Sequence, residues 1–196
     1  MIPAIVLAAG ASSRMGSPKA LLRTGDRTFL RCILDTLREG GVTATAVVVR
    51  PRSDAIVAEV AAAPPGRVVI NGNPDRGQLS SLLAGLDVFD GPEVQAVLVA
   101  LVDTPLITAA TIAALLARVP LSRAPIVRAT HGGRHGHPVV FSRSVFPALR
   151  AADLAAGAKT VVRAFDVDNL EVPDPGIMRD IDTPDDYQRL IGRDAR

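Results

Sequence analysis

The segment LAAGASSRMGSPK, Leu7 to Lys19, directly follows the apolar stretch IPAIV, and its only charges, Arg14 and Lys19, are both positive. Gly10 and Gly16 let the backbone turn tightly and approach a ligand closely. A run of free backbone N–H groups there forms an anion-binding concavity. Ser12 and Ser13 add hydroxyl donors, Arg14 a planar fork for phosphate oxygens, and Lys19 a movable point charge. Together these are the parts of a triphosphate cradle. The plainer alternative is a strand-to-helix loop that uses glycine for geometry and turns its charges to water. Neither familiar phosphate loop is present: Gly16 is followed by SPK, not by the K-[ST] of a P-loop, and Gly10 and Gly16 alone do not make G-x-G-x-x-G. This argues against a standard NTPase and a standard NAD site.

Other segments carry chemistry too. Asp103 closes the apolar run VQAVLVALV, although DTP is also ordinary turn chemistry. DIDTPDD holds Asp180, Asp182, Asp185 and Asp186. If 180–182 is extended, Asp180 and Asp182 share a side and Ile181 turns inward, while Asp185 and Asp186 complement a helix N-terminus. His131, His135 and His137 crowd into HGGRHGH. His-rich tracts bind metal, but Gly132, Gly133 and Gly136 predict a slack polar loop, poorly suited to a zinc site with fixed ligands. Ser80 and Ser81 suit a helix cap. Cys32 falls in an amphipathic helix with no base beside it and is read as inert. There is no G-x-S-x-G elbow for a serine hydrolase.

The elements that must position these residues alternate. Strands are predicted at 2–8, 43–49, 67–71 and 94–102, the last a central parallel strand. Helices are predicted at 29–41, 53–63 (capped by Ser53, stopped by Pro64-Pro65), 80–89 and 108–119 (capped by Thr108). That rhythm predicts an α/β fold, a doubly wound, mostly parallel, Rossmann-like sheet. From 124 it changes: strands at 124–130 and 136–141 suggest an antiparallel element, followed by helices at 143–151 and 155–164 and short strands near 167–172. A last helix spans 183–192, with Thr183 as cap and Pro184 in its first turn. Ligands of such sheets bind outside the carboxyl ends of the strands, where strand order reverses. The opening loop and LVDTPL both sit at strand ends.

The 196 residues are 48% hydrophobic and 21% charged, which suits one globular domain, 1–196. Aromatics are only 3%, which argues against single-stranded nucleic acid stacked on rings. A net charge of +2 does not call for a nucleic-acid or membrane partner. It is unevenly spread: residues 1–52 hold eight Lys/Arg against three Asp/Glu, and residues 166–196 hold four against nine. That suits an anionic ligand and a cation meeting in one cleft, or simply two solvated surfaces. The lone cysteine and the lack of a signal-like leader point to a reducing, cytoplasmic setting. No apolar run reaches the ~18 residues of a membrane helix.

LAAGASSRMGSPK resembles the signature L-A-[AG]-G-x-S-x-R-M-G-x-x-K of nucleotidyltransferases related to molybdenum cofactor synthesis. It is most similar to their cytidylyltransferase branch, which has LAAG where the guanylyltransferase branch tends to have LAGG. GQLSSLLAGL (77–86), VDTPL (102–106), GHPVVF (136–141), GA (157–158) and DIDTPDDY (180–187) fall in the family's order, so the resemblance covers nearly the whole chain. It implies a nucleotide-diphospho-sugar-transferase-like domain, with 1–120 as nucleotide-binding half and 121–196 as acceptor-binding half. The implied reaction is Mg²⁺-dependent transfer of a nucleoside monophosphate from an NTP to a phosphorylated acceptor, with release of pyrophosphate. CTP and molybdopterin are the favoured substrates, with GTP open.

The resemblance also implies roles. Leu7, Ala8, Ala9, Gly10, Ser12, Arg14, Lys19, Gly77, Gln78 and Ser81 bind the nucleotide. Arg14, Lys19 and Asp103 form the catalytic set. Asp103 holds the metal with a second carboxylate, Asp182 preferred over Asp180. Arg134, His137 and Pro138 meet the acceptor. Thr104 stands where cofactor cytidylyltransferases carry Gln, which leaves the acceptor open. The expected partners are the NTP, a phosphorylated small molecule and a molybdoenzyme client, with no nucleic acid and no membrane. Two alternatives stand beside this: an NAD(P)H-dependent reductase on the same fold, and a non-catalytic protein that delivers a cofactor.

Overall fold

The computed structural model describes residues 1–63 and 66–192. The opening strand β1 (Ala4–Leu7) is buried along its whole length, as an inner parallel strand must be. A two-residue hairpin, β2 (Arg23–Thr24) and β3 (Arg27–Thr28), leads into α1 (Phe29–Glu39), whose first turn is capped by the Thr28 hydroxyl. There follow β4 (Thr45–Val49), α2 (Asp54–Ala61), β5 (Gly66–Ile70), α3 (Gln78–Val88), β6 (Ala96–Leu101) and α4 (Ala109–Arg118). The C-terminal part adds β7 (Ile126–His131), β8 (Arg134–Ser142), α5 (Phe146–Ala151), α6 (Ala158–Ala164), β9 (Val167–Glu171) and α7 (Pro184–Leu190). The expected Pro64-Pro65 stop after α2 lies outside the described residues.

The seven-stranded sheet has the order β5-β4-β1-β6-β8-β7-β9. The first four strands are parallel, β8 is antiparallel to β6 and β7, and β9 is parallel to β7. The expected mostly parallel α/β sheet with an antiparallel C-terminal element is therefore the fold. One detail differs: β6 is parallel to its neighbour on one side only. Apolar residues on both faces report burial, not the direction of a partner strand.

Period-two alternation along the strands feeds two cores. Ala4 and Val6 face Leu30, Ile33 and Leu37 of α1 and Ile112 and Leu115 of α4. Ile5 and Leu7 face Leu79, Leu82 and Leu86 of α3 and Phe146 and Leu149 of α5. Each fully buried Leu, Ile or Phe contributes about 1.5–3 kcal/mol. At Gly85, α3 lies so close to β1 that an added Cβ would come 2.5 Å from Ile5 Cγ2. A third cluster of Phe29, Ile181 and Ile191, with Tyr187 against it, docks α7 beside α1.

Two local expectations are corrected. Ser53 makes no side-chain cap to α2, whereas Thr108 and Thr183 do cap α4 and α7. The histidine segment is not a slack loop. It forms the β7–β8 hairpin, whose turn is Gly132-Gly133, and at Gly136 a Cβ would sit 2.0 Å from the Ile177 carbonyl oxygen. Strand pairing rather than glycine content sets its order. Among the described residues no helix is long and apolar enough to cross a membrane.

Candidate active site

Strand β1 has β4 on one side and β6 on the other, and the chain reaches them by winding in opposite directions. This is the point where strand order reverses, and a crevice opens there beyond the strand ends. The loop after β1 and the loop after β6 form its mouth. The first is knotted about Ser12: the Met15 N–H donates to the Ser12 carbonyl at 2.9 Å, and the Lys19 N–H donates to Ser12 Oγ at 3.1 Å. Its left-handed positions are Ser12 (φ 51°) and Gly16 (φ 68°). The expected turn at Gly10 is thus corrected to Ser12, while a Cβ on Gly10 would meet no atom within 4 Å.

Four charged groups converge at this mouth. The Lys19 ammonium lies 3.0 Å from Asp103 Oδ2 and also donates to Asp182 Oδ1. Arg14 Nη2 is 3.1 Å from Asp182 Oδ2. Asp182 arrives there because the Ile181 N–H donates to the Asp103 carbonyl at 2.9 Å and the Ile181 side chain is fully buried. Burial works against the Lys19 charge, but its hydrogen bonds and attraction to Asp182 and Asp103 prevail and hold its pKa above the ordinary lysine value. The Lys19 hydrogen bond likewise holds the Asp182 carboxyl below the usual range. Asp180 is pushed up, by burial first and then by the charges of Asp103 and Asp182. Among the described residues, Asp103 Oδ1 is buried with no hydrogen-bond partner.

The cleft has a volume of about 440 Å³, and all ten residues expected at the nucleotide line it, together with Asp103 and Asp182. Ser80 and Ser81 do not cap α3, which starts at Gln78 after Gly77. The Ser80 hydroxyl donates to the Gly77 carbonyl at 2.7 Å, and Ser81 Oγ accepts from Asn71 Nδ2 at 3.0 Å.

A second cavity of about 780 Å³ adjoins the first, and Leu7 and Gln78 line both. Its apolar floor includes Leu82, Val99, Val139 and Phe141, and its charged lining is Arg128, Arg134, Lys159 and Arg163, with Asp180 as the one carboxylate among the described residues. His137 lines it, whereas Pro138 is buried within β8 and absent from the wall. Burial, with a smaller push from Arg128, lowers the His137 pKa to about 4 against the pull of Asp103. The ring is therefore neutral at pH 7. Thr104 lines neither cavity: it is fully buried and its hydroxyl donates to the Leu101 carbonyl at 3.0 Å. The three histidines part company, with His131 Nδ1 lying 2.8 Å from the Val172 carbonyl oxygen while His135 and His137 face the second cavity. Among the described residues no three His, Cys, Asp or Glu side chains gather as a metal group.

Sequence reasoning missed Arg50, Asn71, Arg128, Lys159 and Arg163. Signals existed for some of them. Arg128 is the one charge within APIVRAT, Lys159 and Arg163 are four apart on one helix, and Asn71 is the first polar residue after RVVI.

A family model for the MobA-like NTP transferase domain matches residues 4–170. The chain belongs to the MobA-like NTP transferase domain family. That membership gives the domain the class of a nucleotidyltransferase. It is 33% identical over 166 residues to the bifunctional protein GlmU of Xanthobacter autotrophicus, covering 81% of this chain and 36% of that protein. The chain thus spans about a third of the length of the curated relatives it matches. Among solved structures it is similar to Rv0371c of Mycobacterium tuberculosis, with 30% identity, a TM-score of 0.80 and 97% of each chain covered. A second structure of Rv0371c is described as a complex with manganese; it is 29% identical, with a TM-score of 0.76, and 97% of this chain and 98% of that one are covered. A nucleotidyl transferase from Methanothermobacter thermautotroptrophicus, 22% identical, shares the fold at a TM-score of 0.82 over 100% of this chain and 98% of its own.

Proposed function

We propose that the protein is a divalent-cation-dependent nucleotidyltransferase that moves a nucleoside monophosphate from an NTP, CTP by preference, to a phosphorylated acceptor, molybdopterin by preference. A phosphate oxygen of the acceptor attacks the α-phosphorus, the bond to the β-phosphate oxygen breaks, and pyrophosphate leaves. The observation that carries this reading is the meeting of Arg14, Lys19, Asp103 and Asp182 at the mouth of one cleft. The second, cation-lined cavity lies directly beside it. The nucleotide side is built mainly from residues 1–120, with Asp182 returning to it, and the acceptor side mainly from 121–196.

In this reading Arg14 and Lys19 bind the triphosphate and stabilise the charge that develops on the departing pyrophosphate. Gly77, Gln78 and Ser81 face the nucleobase or ribose. Arg134, with Arg128, Lys159 and Arg163, holds the acceptor phosphate, and neutral His137 offers it a hydrogen bond rather than a charge. Asp103 and Asp182 suit Mg²⁺ or Mn²⁺, because such a cation takes one or two carboxylates plus phosphate oxygens and Asp103 Oδ1 is a buried acceptor without a partner among the described residues. The cation, when bound, would neutralise phosphate charge. The manganese complex of Rv0371c supports a divalent cation here. With no covalent enzyme intermediate, catalysis is positioning and charge stabilisation.

The test is calorimetric binding of CTP, GTP, ATP, UTP, NADH and NADPH, each with and without Mg²⁺ or Mn²⁺, repeated with Asp103→Asn. Cation-dependent binding of one NTP, lost in the variant while its melting temperature is kept, is the expected result. Binding of NAD(P)H alone, indifferent to the cation, would overturn the reading in favour of a reductase.

A further inference from the structure

One buried polar group beside the cleft has no part in the scheme above. Asn71 follows β5 and is buried, its own N–H donating to the Val49 carbonyl at 2.8 Å. Its side-chain amide is fully engaged. Oδ1 accepts from the Asn73 N–H at 2.9 Å, and Nδ2 donates to Ser80 Oγ at 2.8 Å and to Ser81 Oγ at 3.0 Å. The orientation of this amide follows from the partners themselves. A backbone N–H can only donate, so the atom facing Asn73 is the oxygen, and the nitrogen must face the two hydroxyls.

That assignment fixes what the hydroxyls can do. Both oxygens act as acceptors toward Asn71. The Ser80 proton is spent on backbone carbonyls, Gly77 at 2.7 Å and Asn73 at 3.2 Å. Among the described residues the Ser81 proton has no acceptor, and Ser81 lines the cleft. Ser81 lines the cleft with Gly77 and Gln78, the residues set against the nucleobase or ribose in the reading above. A hydroxyl is normally ambivalent, donor or acceptor as the ligand requires. Here the amide occupies one of the two lone pairs of Ser81, and the O–H is left to point at the cleft.

We propose that Asn71 is a positioning residue that holds Ser81 with its O–H toward the cleft, so that the cleft favours a nucleobase presenting a hydrogen-bond acceptor, a carbonyl oxygen or ring nitrogen, at that point. The inference rests on the nucleotide reading of this cleft and adds to it how base choice is enforced. A site built around a hydrogen bond rejects ligands that cannot complete it, because a buried polar group is then left unpaired.

The experiment uses Asn71→Asp, which has nearly the same shape but whose ionised carboxylate accepts where the amide donated. The Ser81 proton then turns toward residue 71 and away from the cleft. Dissociation constants for CTP, GTP, ATP and UTP are measured by calorimetry in wild type, Asn71→Asp, Ser81→Ala and the double variant, with Mg²⁺ present. One neutral hydrogen bond corresponds to a loss of about 3- to 10-fold. Asn71→Asp is expected to weaken the preferred NTP by that factor and the other three by less, so the preference narrows. Ser81→Ala should do the same, and the double variant should lose nothing further. A purely structural role would weaken all four nucleotides alike. Equal weakening, or losses that multiply in the double variant, would overturn the inference and leave the transferase reading standing. If Asn71→Asp does not fold, unchanged base preference in Ser81→Ala overturns it by itself. Wild-type protein that binds no NTP would overturn both.

Discussion

His137 makes the second cavity sensitive to acid, in a direction and window that follow from its surroundings. Its pKa falls from 6.5 in the unfolded chain to about 4 in the fold, chiefly through burial. Between those values the unfolded chain binds a proton that the folded protein does not, so stability falls as pH is lowered from 6.5 toward 4 and levels off below. The full difference corresponds to about 1.36 kcal/mol per pH unit, which comes to roughly 2–3 kcal/mol once residual contact of the ring with solvent is discounted. Above pH 7 the effect is nil. The assay is urea unfolding at pH 7.5, 6, 5 and 4.5 for wild type and for His137→Gln, which keeps a polar side chain but cannot titrate. Other groups titrate in both proteins, so their difference isolates the imidazole. Wild type should lose roughly 2 kcal/mol more than the variant between pH 7.5 and 4.5. Parallel pH profiles, or an imidazole resonance titrating near 6.5 in the folded protein, would refute the reasoning. At pH 7 neutral His137 therefore adds no charge to the second cavity, whose described lining includes Arg128, Arg134, Lys159 and Arg163.

Two further outcomes concern the frame of the site. Gly85→Ala should cost roughly 1–3 kcal/mol by overpacking, because the new methyl meets Ile5 Cγ2 at 2.5 Å; an unchanged melting temperature would contradict that contact between α3 and β1. Asp174 is buried and accepts from the Thr108 N–H and hydroxyl, the Thr111 hydroxyl and the Gly176 N–H. Asp174→Ala should therefore cost roughly 1–3 kcal/mol for each donor left unpaired. Burial pushes the Asp174 carboxyl up, but those hydrogen bonds prevail and hold it below the ordinary 3.8. Its contribution is thus present above pH 3.8 and lost as pH falls through the lower folded value, a window distinct from that of His137. A variant as stable as wild type at pH 7 in urea would count against this account.

Most of the architecture could be read from the residues, because apolar period and cap chemistry are local. Thr108 and Thr183 cap as expected, and Ile181 turns inward as the alternation of DID required. What escaped reading depends on partners far away in the chain. Nothing in GHPVVF says that β8 runs antiparallel against β6. The two-residue strands of the β2–β3 hairpin are too short to show a period, although Gly25-Asp26 is a turn signal. Ser81 looked like a cap because the sequence around it resembles a helix start, yet the helix begins three residues earlier. The site was legible as a set of residue types: Arg14, Lys19, Asp103 and Asp182 do come together. Their pairing was not, and neither was Asn71, whose importance lies in bonds to two hydroxyls nine and ten positions on.

β1 lies between two strands that come from about 41 and 94 residues further along the chain. The charge cluster it carries is closed by contacts 84 and 163 residues apart. Closing such long loops is slow, since chain entropy is lost before any contact rewards it. A ribosome-bound chain holding only β1 and its loop therefore has Arg14 and Lys19 but not the charge cluster they join. The cluster is complete only after Asp182 has emerged and α7 has docked. A ligand seated there engages the whole molecule, and its binding energy adds to global stability rather than to any fragment. Any ligand that this cluster holds is therefore held only by a chain folded through Asp182.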